Sequence, residues 1–402
     1  MSSSLRVLHV ISSMSRLRGG PSVVVHNMLQ ALARRGVAVE AVATDDDGGA
    51  ARLDVPLDRF IAFSGQRVRF FPRQSRKYSF SAPMRTWLRA NIRGYDIIHT
   101  HELFTFAPLA AARLARAARI PYVMTPHGAL DSWGMRNKSR LVKAASIRLV
   151  EGPLLAAAAA VNFMTPLERS RAAEHGLSLR PWVLPVGIVP ADEAQVSTTE
   201  PLDPLPGGIT GRVLLFLARV HPIKCVDVLL RAFAALADRE CVLVIAGGGD
   251  PALVESLRRL AGELGIGGRV EWLGFTGGAA KRWLLSRATL FVLPSASENY
   301  GIAAVEAMQA GLPVIVTTGC GLADFVSRHG AGVVTDGSVA ALRSALATLL
   351  ADDELARGMG DAGRRAARRE LSLDTFGERL ETSYRQLLEG DAAAIHATSP
   401  AV

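Results

Sequence analysis

Leu290-Phe291-Val292-Leu293 runs into Pro294-Ser295-Ala296-Ser297-Glu298-Asn299-Tyr300-Gly301, then Ile302 to Ala310, then Gly311-Leu312-Pro313 and Val314-Ile315-Val316-Thr317. Two short, near-continuously apolar runs flank a segment that Gly311 and Pro313 stop as a helix. Strands apolar on both faces, joined through a helix, build a parallel sheet covered on both sides. The same alternation extends toward the N-terminus. Strands are expected at Arg212 to Ala218, Val242 to Ala246 and Val270 to Leu273, with helices near Val226 to Leu236 and Ala252 to Leu264.

An earlier series repeats the pattern. Residues 5–11 read as a strand, Ser22 to Arg35 as a helix opened by Arg18-Gly19-Gly20-Pro21 and closed by Gly36, and Val37 to Ala43 as the next strand. Tyr95 to Thr100 and Pro121 to Thr125 read as strands around a helix at Ala107 to Ala118. Thr165-Pro166-Leu167-Glu168 has the form of a capping box. Gly187 to Gly211, rich in Pro, Gly, Thr and acidic residues, reads as a linker. The expected division is 1–188, a linker 189–211, 212–374, and a helix with tail at 375–402 that packs back on the first domain. The fold class is α/β, two doubly wound Rossmann-like domains facing each other across a cleft. Ligands of such sheets sit at the carboxyl ends of the strands.

Composition agrees with this and excludes other classes. The chain has 402 residues, 49% of them apolar, which suits two domains rather than one core. The longest apolar run, Leu154 to Val161, is eight residues, against the ~18 a membrane span needs. Val7-Leu8-His9-Val10-Ile11 is too short for a secretory signal core. A cytoplasmic protein is therefore expected. Cys225, Cys241 and Cys320 show no metal or redox spacing and read as small buried residues in a reducing compartment. Residues 1–190 carry 26 Lys plus Arg against 12 Asp plus Glu, whereas 191–402 carry 20 against 25. That asymmetry points to an anionic partner for the first half, or to a proteome that favours arginine, since 41 of the 46 basic residues are Arg. The basic, aromatic stretch 60–80 (Arg67, Arg69, Phe70, Phe71, Arg73, Arg76, Lys77) reads as a loop or short amphipathic piece that could rest on anionic headgroups.

The chemistry concentrates in the opening stretch. Glu298 and Glu306 are eight residues apart, with the amides of Asn299, Tyr300 and Gly301 at a helix start between them. Carboxylates accept hydroxyl hydrogens and a helix start attracts phosphate, so the pattern suits a phosphorylated, polyhydroxylated ligand. Glu306 lies in a small, apolar run, which argues against a wet helix face. After a strand of the same domain come two cations, Arg219 and Lys224.

Followed by Ala307-Met308-Gln309-Ala310-Gly311-Leu312-Pro313, the two-glutamate element resembles the retaining glycosyltransferases of family four (glycosyl transferases group 1), with the GT-B fold. Gly19-Gly20, Pro126-His127-Gly128-Ala129-Leu130-Asp131, Arg219-Val220-His221-Pro222-Ile223-Lys224 and Val270-Glu271-Trp272-Leu273-Gly274 follow that family's order, and the resemblance spans roughly residues 5–390. It implies transfer of a hexose from a UDP- or GDP-sugar to an acceptor hydroxyl without a metal or other cofactor. The acceptor is expected to be lipid-linked or an oligosaccharide in surface polysaccharide or glycolipid synthesis, at the inner face of the plasma membrane, with no nucleic acid as partner. It also implies His127 beside the anomeric centre, Glu298 on the donor sugar, Glu306 on the ribose, and Gly20, Arg219 and Lys224 on the diphosphate. Cys225 departs from the pattern, which has glycine after the lysine.

Other readings stay beside this one. A nucleotide-sugar epimerase or a sugar phosphorylase fits the same fold, and so does a non-catalytic basic scaffold for membrane or nucleic acid. Asp45-Asp46-Asp47 before Gly48-Gly49 reads as a solvated turn rather than a metal site. Gly247-Gly248-Gly249-Asp250 fits a loose dinucleotide fingerprint but falls mid-chain with Pro251 at the helix opening. His99-Thr100-His101-Glu102 ends a strand, where lining an acceptor site is the preferred reading over metal binding.

Overall fold

The computed structural model describes residues 4–49, 51–131, 140–189, 211–238 and 240–390. The expected linker lies almost wholly outside these residues, as does the tail beyond 390. The chain divides into two compact units, residues 1–187 with the segment from Leu373, and Ile188–Ser372.

The first unit is built on β1 (Arg6–Ser13), α1 (Gly20–Arg34), β2 (Ala38–Thr44), β3 (Phe60–Phe63), β4 (Gln66–Phe71), α2 (Ala82–Asn91), β5 (Ile97–His101), α3 (Phe106–Ala118) and β6 (Tyr122–Thr125). It continues with α4 (Arg140–Ser146), a π-helical turn at Ile147–Glu151, α5 (Gly152–Ala157), β7 (Ala160–Phe163), α6 (Pro166–Ala173) and β8 (Pro181–Val183). The sheet order is β3-β4-β2-β1-β5-β6-β7-β8. All pairings are parallel except β3 with β4. β1 lies between β2 and β5, so the strand order reverses at β1/β5, the place where such sheets open a crevice. The chain's last helix, Leu373–Leu388, packs on α1: Gly377 lies so close that a Cβ there would meet the Ala31 carbonyl at 3.0 Å.

The second unit contains β9 (Val213–Leu217), α7 (Val226–Ala234), β10 (Val242–Ala246), α8 (Pro251–Glu263), β11 (Val270–Gly274), α9 (Gly278–Arg287), β12 (Leu290–Leu293), α10 (Ile302–Ala310), β13 (Val314–Thr317) and β14 (Gly332–Thr335). Three further helices follow β13 and β14. The order β11-β10-β9-β12-β13-β14 is all parallel and doubly wound, with its switch point at β9/β12. β9 and β12 are buried at every position, which is why the sequence showed continuous rather than alternating hydrophobicity.

Three expectations need correction. Residues 60–71 are not a loop but a β-hairpin, β3–β4, turned by Ser64 and Gly65 with φ of 50° and 77°. Two consecutive left-handed residues match the twist of a tight hairpin. Its cations are spoken for: Arg69 lies over the rings of Phe60, Phe71 and Trp87, Arg67 donates to Glu40 at 2.5 Å, and Arg73 is buried. Asp45-Asp46-Asp47 is not a solvated turn. Asp45 and Asp46 are buried, and Asp46 accepts from Arg73 at 2.7 Å, from Ser79 at 3.0 Å and from Arg18. Burial opposes its ionisation, but the Gly48 N–H, Arg18 and Ser79 outweigh it and hold the carboxyl below its ordinary value. Cys225 is only half-buried, unlike Cys241 and Cys320. Thr165 caps α6 as expected. Thr165 Oγ1 accepts from Glu168 N at 3.1 Å, while the Glu168 carboxylate accepts from Met164 N and Gly128 N at 2.8 and 2.7 Å. Glu168 thus ties α6 to the turn that carries His127.

Candidate functional site

In the second unit the loops after β9 and β12 meet at the switch point. Lys224 donates to Glu298, with the two side chains 14% and 18% exposed. Lys281, in the first turn of α9, donates to Glu306 Oε1 at 2.6 Å. The structure therefore brings Lys224 to Glu298 and pairs Glu306 with a residue that sequence reasoning missed. A signal was available. Arginine outnumbers lysine 41 to 5, and the only two lysines after residue 143 pair with the two glutamates. Arg219 is exposed and, among the described residues, forms no hydrogen bond or ion pair.

Close backbone packing shapes these loops. A Cβ at Gly247 would come within 1.9 Å of the Ala218 carbonyl, and one at Gly249 within 2.5 Å of that of Val220. Val220 N donates to Gly248 O at 2.8 Å. The triple glycine is thus a bed for the Arg219 loop, and Asp250 caps α8 through Ala252 N and Leu253 N. On the other side, Gly319 has no room for a side chain against Ala296 O, and the Glu298 backbone is clamped between Gly319 O and Gly321 N at 3.0 and 2.8 Å. Gly301 caps α10 with φ 96°, and the ring of Tyr300 is buried, so Tyr300 offers a ligand its backbone rather than its hydroxyl. Cys225 adopts φ 50°, ψ 45°, the left-handed region, which explains why glycine is the residue expected after the lysine. Burial raises the pKa of its thiol.

The first unit assembles a different kind of site at the ends of β1, β5 and β6. Gly19, with φ 84°, caps α1 without a side-chain acceptor, and Gly20 is exposed at the helix start. His127 follows β6 at φ 54° and meets His101 Nδ1 through Nε2 at 3.1 Å. His101 Nε2 meets His9 Nδ1 at 2.9 Å. His9, His99, Thr100 and His101 are fully buried, so of the run His99-Thr100-His101-Glu102 expected to line an acceptor site only Glu102 reaches the surface. The buried ones are packed inside, beneath the strand ends. The rings of His9 and His101 lie 14° apart and meet edge to edge through that 2.9 Å contact, while His99 stacks on His101 at 22°. Burial pushes His9 and His127 down to about 3, and lowers His99 and His101 well below the ordinary value, helped by neighbouring imidazoles. All four are neutral at pH 7. Glu102, at φ 74°, keeps one buried oxygen, Oε2, without a partner among the described residues, and burial raises its pKa. Three non-glycine residues in left-handed backbone (Glu102, Phe104 and His127) cluster at the ends of two adjacent strands, the kind of strain that gathers at functional sites.

Residues 19–187 match the model of the glycosyl transferase 4-like domain, and residues 208–366 match that of glycosyl transferases group 1. A GDP-mannose-dependent alpha-(1-6)-phosphatidylinositol monomannoside mannosyltransferase of Mycobacterium tuberculosis is 31% identical over 334 residues, 76% of this chain and 80% of that enzyme. The chain belongs to the glycosyl transferases group 1. This group 1 glycosyltransferase is also 28% identical to a D-inositol 3-phosphate glycosyltransferase of Segniliparus rotundus, over 94% of its own length and 86% of the other. Among solved structures, HepE of Anabaena in complex with UDP and glucose aligns with a TM-score of 0.74 at 20% identity, covering 95% of this chain and all of that one. The fold is GT-B. The match of 208–366 contains both lysine–glutamate pairs and Arg219, and that of 19–187 contains Gly20, His99, His101 and His127 but not His9.

Proposed function

We propose that this glycosyltransferase moves a hexose from a UDP- or GDP-sugar to an acceptor hydroxyl with retention of configuration, and that the second unit holds the donor. The observation that carries the reading is the Lys224–Glu298 pair at the β9/β12 switch point, backed by Lys281–Glu306 in the following helix. Each pair offers a cation for phosphate beside a carboxylate for sugar hydroxyls. Glu298 takes the donor sugar, Glu306 the ribose, and Arg219 with Lys224 the diphosphate, whose charge grows as it leaves. The amides of Asn299, Tyr300 and Gly301 and the Gly20 turn are assigned to the diphosphate, and His127 to the donor sugar. With two protein cations for the leaving group, no metal ion is called for. HepE's complex with UDP and glucose, and the GDP-mannose dependence of the mycobacterial enzyme, support a nucleotide-sugar as donor.

The acceptor is a lipid-linked sugar or an oligosaccharide, and the protein docks peripherally on an anionic membrane. Leu141, Val142 and Leu149 are 83%, 69% and 72% exposed beside exposed Arg148, Arg113 and Arg116, an apolar and basic face suited to a headgroup layer. Among the described residues no helix is long and apolar enough to cross a membrane.

Thermal shift with a panel of UDP-, GDP- and ADP-sugars tests the donor. A donor at 100 times its Kd adds about 2.7 kcal/mol of stability. Glu306→Ala and Lys224→Ala should each abolish the shift, and Lys224→Ala should lower turnover at least a hundredfold. Anomeric NMR of the product reads the stereochemistry, and turnover undiminished in chelator reads the metal. If no nucleotide-sugar shifts the wild type, with or without acceptor lipid, the donor assignment fails.

A further inference from the structure

Two chains of hydrogen bonds run through the buried end of the first unit's sheet, and they differ in one respect. The His99 chain has a fixed direction. Asn162 turns its Nδ2 toward the Phe163 and Trp182 carbonyls at 3.3 and 3.4 Å, which leaves Asn162 Oδ1 as an acceptor for the Thr125 hydroxyl at 3.1 Å. Thr125 Oγ1, its proton committed, then accepts from His99 Nε2 at 2.7 Å, and the bare His99 Nδ1 accepts from the Tyr384 hydroxyl at 2.6 Å. Every proton in that chain has one place.

The His9–His101–His127 chain has no such anchor. His9 Nε2 at one end and His127 Nδ1 at the other are buried without a partner among the described residues. Three neutral imidazoles carry three ring protons. Two sit in the links at 2.9 and 3.1 Å, and the third must occupy one of the two ends. Only two arrangements satisfy both links. In one, all three rings are protonated on Nε2 and His127 Nδ1 is an acceptor. In the other, all three are protonated on Nδ1 and His127 Nδ1 is a donor. A ring in the middle with the opposite tautomer would oppose two protons in one link and two lone pairs in the other.

We propose that His101, backed by His9, is a positioning residue that holds the His127 ring and sets its tautomer through one continuous imidazole chain, so that the three histidines switch together and His127 presents a nitrogen that matches its ligand. The part of this concerning the ligand rests on the placement of His127 beside the donor sugar. The chain itself does not. His9 and His101 sit on β1 and β5, adjacent central strands, with His9 in register with His99, so the sheet fixes their spacing whatever is bound. The left-handed turn at His127, tied by Glu168 to Gly128 N, brings the third ring into line.

Imidazole 15N NMR of the full chain, with histidine assignments from single substitutions, tests this at pH 7. His9, His101 and His127 should share one tautomer, or one population-weighted mixture, while His99 shows protonated Nε2 throughout. Mixed tautomers among the three overturn the proposal without any variant being made. On adding UDP-glucose or GDP-mannose, His9, which lies two rings from His127, should change tautomer together with it. His101→Phe should lower kcat at least tenfold with the donor KM within twofold, and His9→Phe should do so by a smaller factor. Equal losses in kcat and stability, with donor KM rising in step, would mark the chain as packing only. A shared tautomer that no nucleotide-sugar perturbs keeps the chain and removes His127 from the donor site.

Discussion

The two units place their candidate residues at equivalent points, the carboxyl ends of central parallel strands where the order reverses, yet they use opposite electrostatics. The first unit sinks His9, His99 and His101 to zero exposure and strips them of charge. The second keeps Lys224, Glu298, Lys281 and Glu306 between 14% and 31% exposed and in lysine–carboxylate pairs. Depth decides between these solutions. An isolated charge in the interior costs more than its neutral form, so a deep imidazole gives up its proton, whereas a partly wet lysine–carboxylate pair keeps both charges. The first arrangement suits an oriented neutral hydrogen-bonding group, the second the binding of a polyanion.

The largest test of this contrast is acid. His9 and His127 are held near 3, against about 6.5 in the unfolded chain, so the unfolded state binds protons first as pH falls. Stability is therefore complete above about pH 6.5 and falls through the window down to about 3, by about 1.4 kcal/mol per pH unit for each such histidine. Calorimetry should show a melting temperature flat from pH 7 to 8 and falling steeply below 6. His9→Phe should flatten that fall. A melting temperature equally flat from pH 8 to 4 would contradict the neutral cluster.

Next in size is the exception inside the first unit, the buried Asp46 among Arg73 and Arg18. Asp46→Ala removes the buried carboxylate that Arg73 and Arg18 share, and breaking such a buried pair costs about 3–5 kcal/mol. Replacing both with apolar residues of similar volume, Asp46→Leu with Arg73→Met, should recover most of it in chemical denaturation. A smaller effect separates binding from stability in the second unit. Lys281→Met should weaken the donor about tenfold by titration calorimetry, about 1.4 kcal/mol, because Glu306 loses its orienting cation, while the melting temperature barely moves. Smallest is Cys225→Gly, which relieves a left-handed non-glycine residue and should raise stability by about 1 kcal/mol. If it lowers stability, the Cys225 side chain contributes packing that its half-exposure does not suggest.

How much of this was legible beforehand varied with the range of the interaction. Continuous apolar runs such as Leu290 to Leu293, and stops such as Gly311 with Pro313, reported the parallel sheets, because burial on both faces and helix termination are local matters. The β3–β4 hairpin was also signalled, by Ser64-Gly65 between apolar-aromatic runs, but the density of arginine concealed it. Arg69 and Arg73 look like surface charge until Trp87 and Asp46, distant in sequence, are brought against them. The triple glycine at 247–249 carried a misleading motif for a related reason, since the partner it makes room for is the backbone at Ala218 and Val220.

By itself the sequence determined the fold class and the two-series architecture, which follow from local pattern and spacing, and its motifs carried the resemblance that implied the family and singled out Glu298, Glu306, Arg219, Lys224 and His127. Only the tertiary structure decided which lysine meets which glutamate, that Asp46 is buried among arginines, and that His9, 92 residues from His101, joins it and His127 in one chain of imidazoles. The reason is that charge and protonation state depend on burial and on the partner a few ångströms away. In a parallel sheet that partner comes from the neighbouring strand, and a whole crossover separates the two in sequence.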